Sequence, residues 1–420
     1  MIRRVKLKEV CREITVGHVG PMAEEYVESG IPFLRSQNIS PYRLDYANLK
    51  FINEDFHRRL KKSALAPGDV VVVRTGYPGT ACVVPERLPV ANCADLVILR
   101  PSAEIDGFFL CCLFNSIWGQ SKVAGSLVGV AQQHFNIGVA KEMEISLPLL
   151  PIQKRITCIL SSYSDLIENN TRRIKILEEM AQMIYREWFV KFRLPGYEKV
   201  DMVESEIGPI PEGWRAGLLR DMCESIDYGY TASAVEKRIG PKLLRITDIV
   251  PDTIDWPSVP HCPPPERNPQ KYRLLEGDIV VARTGATTGY AKRLNKHHPE
   301  SIFASYLVRL RVKPENSNHM VGLLVESDDY KRFIKANLGG AAQPQANAQV
   351  LTSMPISIPP LQVQSKFSEI LKPFLDQKEI LEIKNANLRQ TRDLLLPRLI
   401  SGEISMEQLH GEAEALAQGV

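Results

Sequence analysis

From Pro151 onward, apolar or seam residues return at steps of three and four. They fall at Ile152, Ile156, Ile159, Tyr163, Leu166, Asn170, Ile174, Leu177, Ala181, Ile184 and Trp188. A second stretch repeats the spacing at Val363, Phe367, Ile370, Phe374, Gln377, Leu381, Asn385, Leu388, Arg392, Leu395 and Leu399. Alternating threes and fours mark the narrow stripe of a coiled-coil helix. Each stretch contains two consecutive fours, 166→170→174 and 377→381→385, which together read as a shared stutter. Pro151 suits a helix start, and Leu194-Pro195-Gly196 suits an end. Pro373 sits inside the second stretch and is expected to kink or restart it. At 1.5 Å per residue, about forty residues give a helix of roughly 60 Å. A helix of that length needs a partner for its stripe. Each could lie on its own domain, but the narrow heptad-like stripe favours helix against helix.

The rest of the chain reads as short strands. Val70 to Gly76 (VVVVRTG), Leu96 to Pro101 (LVILRP) and Glu144 to Leu149 (EISLPL) are β-type runs between turn formers. Ile279 to Gly285 (IVVARTG), Tyr306 to Val312 (YLVRLRV) and Pro355 to Leu361 (PISIPPL) repeat them. The repetition extends further. Leu7 to Gly17 (LKEVCREITVG) matches Leu219 to Gly229 (LRDMCESIDYG), 212 residues on. Phe33 to Ile39 (FLRSQNI) matches Leu243 to Ile249 (LLRITDI), 210 on. Gly68 to Val84 (GDVVVVRTGYPGTACVV) matches Gly277 to Arg293 (GDIVVARTGATTGYAKR), 209 on. Ala131 to Gln153 matches Ala342 to Gln364, 211 on. Solenoid repeats run about 20–50 residues, so this is one domain written twice. The fold class expected is α+β: two tandem mixed α/β domains, and two long helices forming an antiparallel coiled coil, with approximate two-fold symmetry. The boundaries predicted are a first domain over 1–150, a central helix over 151–194, a second domain over 195–360, a C-terminal helix over 361–402 and a tail over 403–420.

Composition adds exclusions. The 420 residues are 44% hydrophobic and 24% charged, ordinary globular values. A net charge of +3 neither demands nor forbids a nucleic-acid partner. Eight cysteines are scattered without a CxxC pair, and His297-His298 has no cysteine nearby. That argues against a zinc site or disulfide framework and for reduced thiols in the cytoplasm. The start, MIRRVKLKEV, lacks the apolar core of a signal peptide. The longest apolar run, Phe108 to Phe114, is too short to span a bilayer.

Catalytic patterns fail one by one. The proline-rich segment His261 to Gln270 holds no Asn/Asp-Pro-Pro-aromatic tetrapeptide of an adenine methyltransferase. Neither glycine turn carries the Lys of a phosphate loop. Glu382 and Lys384 have a nuclease-like spacing but fall on a helical stretch, and the counterpart of His134 is Gln345. No catalytic residue and no metal ligand is assigned. Two similar heads on a paired-helix rod match the geometry of duplex DNA instead, whose half-sites recur about 34 Å apart or a multiple of it. A self-contained DNA-modifying enzyme with an unrecognised site, and a scaffold that binds only protein, are the competing readings.

The chain resembles the specificity (S) subunits of type I restriction–modification enzymes over essentially its whole length. The marks are GDIVVARTG, the lead-in GPIPEGW (Gly208 to Trp214), PISIPPLQVQSKF (Pro355 to Phe367) and RDLLLPRLISGEI (Arg392 to Ile404). LPLLPIQKRI (Leu147 to Ile156) and IYREWFVKF (Ile184 to Phe192) are the matching central features. The first copy departs in having no PEGW lead-in, because Met1 falls where it would end. The resemblance implies two target recognition domains, each reading half of a split, asymmetric sequence in double-stranded DNA. It implies helices that act as spacer ruler and as dock for two methyltransferase (M) subunits carrying S-adenosylmethionine. Motor-nuclease (R) subunits would complete the complex, and this chain would hold no cofactor and do no catalysis itself.

Candidate DNA contacts follow from residue type. Arg74-Thr75 and Arg283-Thr284, each before a glycine, are the repeated elements. The arginine could bond guanine or phosphate, or pair with Asp69 or Asp278 to brace the turn. Tyr77 in one copy and Thr287 and Thr288 in the other are the divergent residues that follow it. Arg35, Gln37 and Asn38 in one copy, and Arg245 and Thr247 in the other, offer amides, hydroxyls and charge. Gln132, Gln133, His134 and Asn136, and then Gln343, Gln345 and Asn347, form glycine-flanked candidate contact loops. Arg58, Arg59, Lys61 and Lys62 form a charge run that suits either a solvated face or a phosphate track.

Overall fold

Val70–Val73 is four valines with no polar alternation, a pattern that a strand covered on both faces permits. It lies inside a four-stranded antiparallel sheet, ordered Ala81–Val83, Val70–Val73, Leu96–Pro101, Cys11–Val16. Val70 and Val72 join a core cluster with Phe109 and Leu110; Val71 and Val73 join another with Leu34 and Leu65. The computed structural model describes residues 2–127, 134–197, 200–251, 253–338, 345–401 and 403–404. The chain divides into two compact units, Met1–Glu168 with Asn387–Val420, and Asn169–Ala386. This sheet belongs to the first.

The second unit repeats it. Its sheet runs Ala291–Arg293, Ile279–Ala282, Leu307–Val312, Cys223–Tyr228, again antiparallel. Ile279 and Val281 face one cluster, and Val280 and Ala282 face another. Even the register irregularity recurs: the outer strand slips between Cys11 and Glu13 in one sheet and between Cys223 and Ser225 in the other. A helix follows each last strand, Gly107–Asn115 and Asn318–Glu326. Asp106 caps the first through Phe109 N–H (2.9 Å) and Ser317 the second through Met320 N–H (3.1 Å).

A parallel pair also recurs, Ile31–Leu34 with Ala91–Cys93 and Lys242–Leu244 with Ser301–Phe303. In the first unit it grows into a five-stranded sheet; in the second it stays at two strands. The reason is legible in the intervening segment. Residues 251–269 contain seven prolines, which cannot donate to a ladder.

The long helices run Leu150–Tyr185, followed by a π turn at Arg186–Val190, and Leu361–Ser401. The second continues through Pro373 without a restart. In the second unit the two helical stretches pair antiparallel. Asn170 donates to Asn385 (3.0 Å), Lys378 meets Glu178 (2.6 Å), and Phe189 packs on Phe367 at 4.6 Å between ring centroids. Partner numbers fall as helix numbers rise. In the first unit Ile156 and Leu160 share a core with Leu395, Leu396 and Leu399.

Burial corrects the predicted seam. Leu160 and Ile167 turn inward where Ile159 and Leu166 were expected, and Leu166 is 54% exposed. Leu371 and Lys378 replace Ile370 and Gln377. The inward positions are then 156, 160, 163, 167, 170, 174, 177, 181 and 367, 371, 374, 378, 381, 385, 388, 392, 395, 399. From 156 and from 367 both series alternate four and three, so the double four does not fall at 166→170→174 or 377→381→385; buried Val363, Phe367 and Leu371 place it at the helix start, 363→367→371. Lys378 sits among carboxylates. Burial alone would lower its pKa, but Glu382, Glu178 and Glu326 outweigh it and hold the ammonium above its usual value.

The motif glutamines explain how each helix start is fixed. Gln153 is fully buried; its amide oxygen accepts from Asp106 N–H (2.9 Å) and its nitrogen donates to Pro148 and Glu104 carbonyls (2.8 and 3.0 Å). Gln364 does the same, accepting from Ser317 N–H (2.9 Å) and donating to the Pro359 carbonyl (3.0 Å). The aromatic motif of the first helix closes the second unit's core. Trp188, Phe189 and Phe192 pack with Phe367 and with Trp214 of the PEGW lead-in.

Candidate nucleic-acid interface

In the first unit the glycine turn leaves Val73 and returns at Ala81. Gly76 (φ 92°) and Gly79 (φ 92°) occupy left-handed backbone there, which explains the glycines. A second segment is strapped to this turn: Phe135 N–H donates to the Arg74 carbonyl (3.2 Å), and Arg74 Nε donates to the Phe135 carbonyl (3.1 Å). The Arg74 guanidinium is ion-paired to Asp95 and mostly buried. Thr75 Oγ1 lies 2.8 Å from His134 Nδ1 and 3.4 Å from Asp95 Oδ2. Asp95 thus faces Arg74 and Thr75, and Thr75 links it to His134. Tyr77 stands 85% exposed at the tip.

The second unit builds the same strap with other side chains. Ala346 N–H donates to the Arg283 carbonyl (2.9 Å), and Thr284 bridges to Gln345. The place of Asp95, whose N–H donates to His18 carbonyl, is taken by Ser305, whose N–H donates to Tyr230 carbonyl; Tyr306 is inserted after it. Among the described residues Arg283 therefore meets no carboxylate there. Its guanidinium lies over the Tyr228 ring, 4.8 Å from the centroid. Tyr228 is itself held by Ala348 N–H (2.9 Å). Thr288 caps the turn through the Gly285 carbonyl (2.7 Å), while Thr287 is half-buried beside it.

The expected brace through Asp69 and Asp278 is corrected. Asp69 accepts from Ala66 N–H (3.0 Å) and faces Arg100 (3.7 Å); Asp278 accepts from Leu275 N–H (2.8 Å) and pairs with Arg311 (2.7 Å). Both aspartates brace the neighbouring strand, not the Arg-Thr-Gly turn. Burial pushes the Asp69 carboxyl up, an effect opposed by Ala66 N–H and Arg100.

Other candidates divide between surface and scaffold. Asn38 is fully buried: it accepts from Arg35 N–H (3.1 Å) and donates to Asp45 and Ala47 carbonyls (3.0 and 3.1 Å). It has no amide left for a base edge, which overturns its expected role. Arg245 forks onto Asp248 (2.9 and 3.0 Å), and Arg35 donates to the Asn48 carbonyl (2.6 Å). Gln37 and Thr247 are exposed on these same turns. The parallel pair brings the turns beside the arginine site, with Ala94 N–H on Leu34 carbonyl and Ala304 N–H on Leu244 carbonyl, both 2.9 Å. Asn136 and Asn347 cap short helices through Val139 and Val350 N–H (2.9 and 2.8 Å) and are otherwise exposed, as is Gln345. Gln132, Gln133 and Gln343 lie outside the described residues. Arg58, Lys61 and Lys62 are exposed; Arg59 stacks on Phe56 at 5.0 Å. Asp95, Tyr228 and Tyr306 were missed. Aligning Cys93-Ala94-Asp95-Leu96 with Phe303-Ala304-Ser305-Tyr306-Leu307 is the signal that finds two of them.

The cysteines are all free; seven are buried and Cys158 is exposed. Burial raises the Cys11, Cys111 and Cys223 thiols to about 12, which keeps them protonated and unreactive. Among the described residues no helix is long and apolar enough to cross a membrane.

Two copies of one strand–turn–strap frame, presenting different side chains from the same scaffold, define a duplicated recognition protein. The chain belongs to the type I restriction modification DNA specificity domain family, which it matches over residues 3–179 and 266–390. It is therefore a DNA sequence-specificity subunit, the non-catalytic member of a type I restriction–modification system. It is similar to the type I restriction enzyme MjaVIII specificity subunit of Methanocaldococcus jannaschii, 25% identical over 287 residues and 67% of each chain. The putative MjaX specificity subunit of the same organism is 22% identical over 429 residues, covering 96% of this chain and 93% of that one. Among solved structures, the type I restriction–modification S subunit from M. genitalium is 14% identical at a TM-score of 0.49, covering 95% and 96%.

Proposed function

We propose that each unit reads one half of a bipartite, asymmetric sequence in double-stranded DNA through its glycine turn and strapped loop. Gln37, Thr75, Tyr77, His134 and Asn136 serve the first half. Thr247, Thr284, Thr287, Thr288, Gln345 and Asn347 serve the second. The paired helices set the number of base pairs between the halves and dock two methyltransferase subunits. Those subunits bring S-adenosylmethionine, and motor-nuclease subunits complete the restriction complex. The observation that carries the reading is the recurrence of one strap, Phe135 N–H on Arg74 and Ala346 N–H on Arg283, beneath divergent exposed residues. Shared scaffold with unshared tips is what two different half-sites require.

The test is exchange. Replacing residues 1–150 by the equivalent domain of another specificity subunit is expected to change one half of the methylated sequence and leave the other. Methylome sequencing reads both halves at once. A change in both would defeat the two-domain reading.

A further inference from the structure

The two glycine turns share sequence and backbone, but their arginines have different surroundings. Arg74 is neutralised by Asp95 and tied to the Phe135 carbonyl. Arg283 has no ion pair among the described residues, and its Nε is buried without a partner. Ser305 stands where Asp95 does in the other copy. What holds Arg283 is a ring: Tyr228, fixed by Ala348 N–H, occupies the register position of Val16 in the first unit. A guanidinium stacked on one face keeps its edge donors free, and those donors match a phosphate or the N7/O6 edge of guanine.

We propose that Arg283 is the chain's DNA-binding arginine, presented on the Tyr228 platform to an acceptor of the duplex, whereas Arg74 is a brace. This rests on the DNA-reading role proposed above. It makes the shared Arg-Thr-Gly motif two devices. In the first unit the motif closes a turn. In the second it also delivers charge. The acceptor chemistry is common to phosphate oxygen and guanine edge, and the experiment separates them.

The test uses the full chain assembled with its methyltransferase subunits and the duplex that methylome sequencing identifies. Arg283→Gln is expected to weaken binding about tenfold or more with an unchanged melting temperature. Arg74→Gln is expected to lower the melting temperature and, while folded, to keep wild-type affinity. A phosphate acceptor lowers the slope of log affinity against log salt by about 0.9, for all sequences alike. A guanine acceptor relaxes specificity at one position of the second half-site. Ser305→Asp installs the missing carboxylate and is expected to mimic Arg283→Gln by capturing the arginine. In the Arg283→Gln background the same aspartate should add little. Ser305→Asp alone decides the matter if Arg283→Gln folds poorly: weakened binding with an unchanged melting temperature supports the assignment, and wild-type binding overturns it. Arg283→Gln matching a discriminating wild type in affinity, salt slope and specificity overturns the arginine assignment. A wild-type complex that cannot tell its target from a scrambled duplex overturns the DNA-reading role instead.

Discussion

Asn38 and Asp248 do one job with two chemistries. Each closes a tight turn by accepting the N–H three residues back, from Arg35 at 3.1 Å and Arg245 at 2.8 Å. The carboxylate additionally forks the arginine, while the amide donates to two carbonyls instead. Residue type marked Asn38 as a hydrogen-bonding residue but not the direction its amide faces. An asparagine in a loop offers the same atoms to a base or to its own backbone, and only tertiary placement chooses. Arg74 is the same problem. Asp69 lies nearer in sequence, but a strand crossing puts Asp95 against the guanidinium. His319, in the helix Asn318–Glu326, carries a prediction at this scale. Burial, together with Arg293 and Lys372 and against Asp376, lowers its pKa to about 4 from 6.5. Between those values the unfolded chain binds a proton that the folded chain does not. Stability therefore falls as pH drops from about 6.5 towards about 4. Urea melts across that window are expected to show the slope in the wild type and a shallower one in His319→Gln. Equal slopes would remove His319 from the account.

At the scale of elements the strands were legible and the helix seam only partly so. Four-valine and Ile-Val-Val-Ala runs fell where predicted because a strand buried on both faces has no competing pattern. The seam failed at adjacent apolar pairs. Ile159-Leu160, Leu166-Ile167 and Ile370-Leu371 each offer two candidates, and spacing alone cannot rank them. Taking the first member at both places misplaced the double four in each copy; the second copy shares one pair as Ile370-Leu371, whereas its other place is the polar Gln377-Lys378. Burial shows a regular heptad over 156–181 and 367–399 with a polar pair inside it, Asn170 to Asn385 and Asn385 to Thr171 (3.0 and 3.3 Å). A buried amide pair sacrifices apolar contact and penalises every register that separates it. Replacing Asn170 and Asn385 together by leucine is expected to raise the melting temperature by a few degrees. The same change is expected to broaden the spacing between methylated half-sites. A single unchanged spacing in the methylome would show that register is fixed elsewhere.

For the whole molecule, duplication was the most legible feature because it is written in order and spacing rather than in any one contact. Sheet order, bulge, strap and helix-start glutamine all recur, and the seven prolines of 251–269 account for the main departure, the shorter second sheet. The role proposed for the helices predicts a number. Removing one heptad from the regular stretch of each helix keeps the seam in phase, because the inward positions alternate four and three over 156–181 and 367–399. It shortens each helix by about 10 Å at 1.5 Å per residue. With a helical turn of DNA near 34 Å for about ten base pairs, the methylated halves are expected to move closer by roughly three base pairs. Each half should keep its own sequence, because neither glycine turn is touched. Removing two residues instead rotates the following seam by about 200°, turns it outward and is expected to unfold the helix pair. Retained methylation at the original spacing after a full heptad is lost would mean that the helices hold the partners but do not measure the DNA.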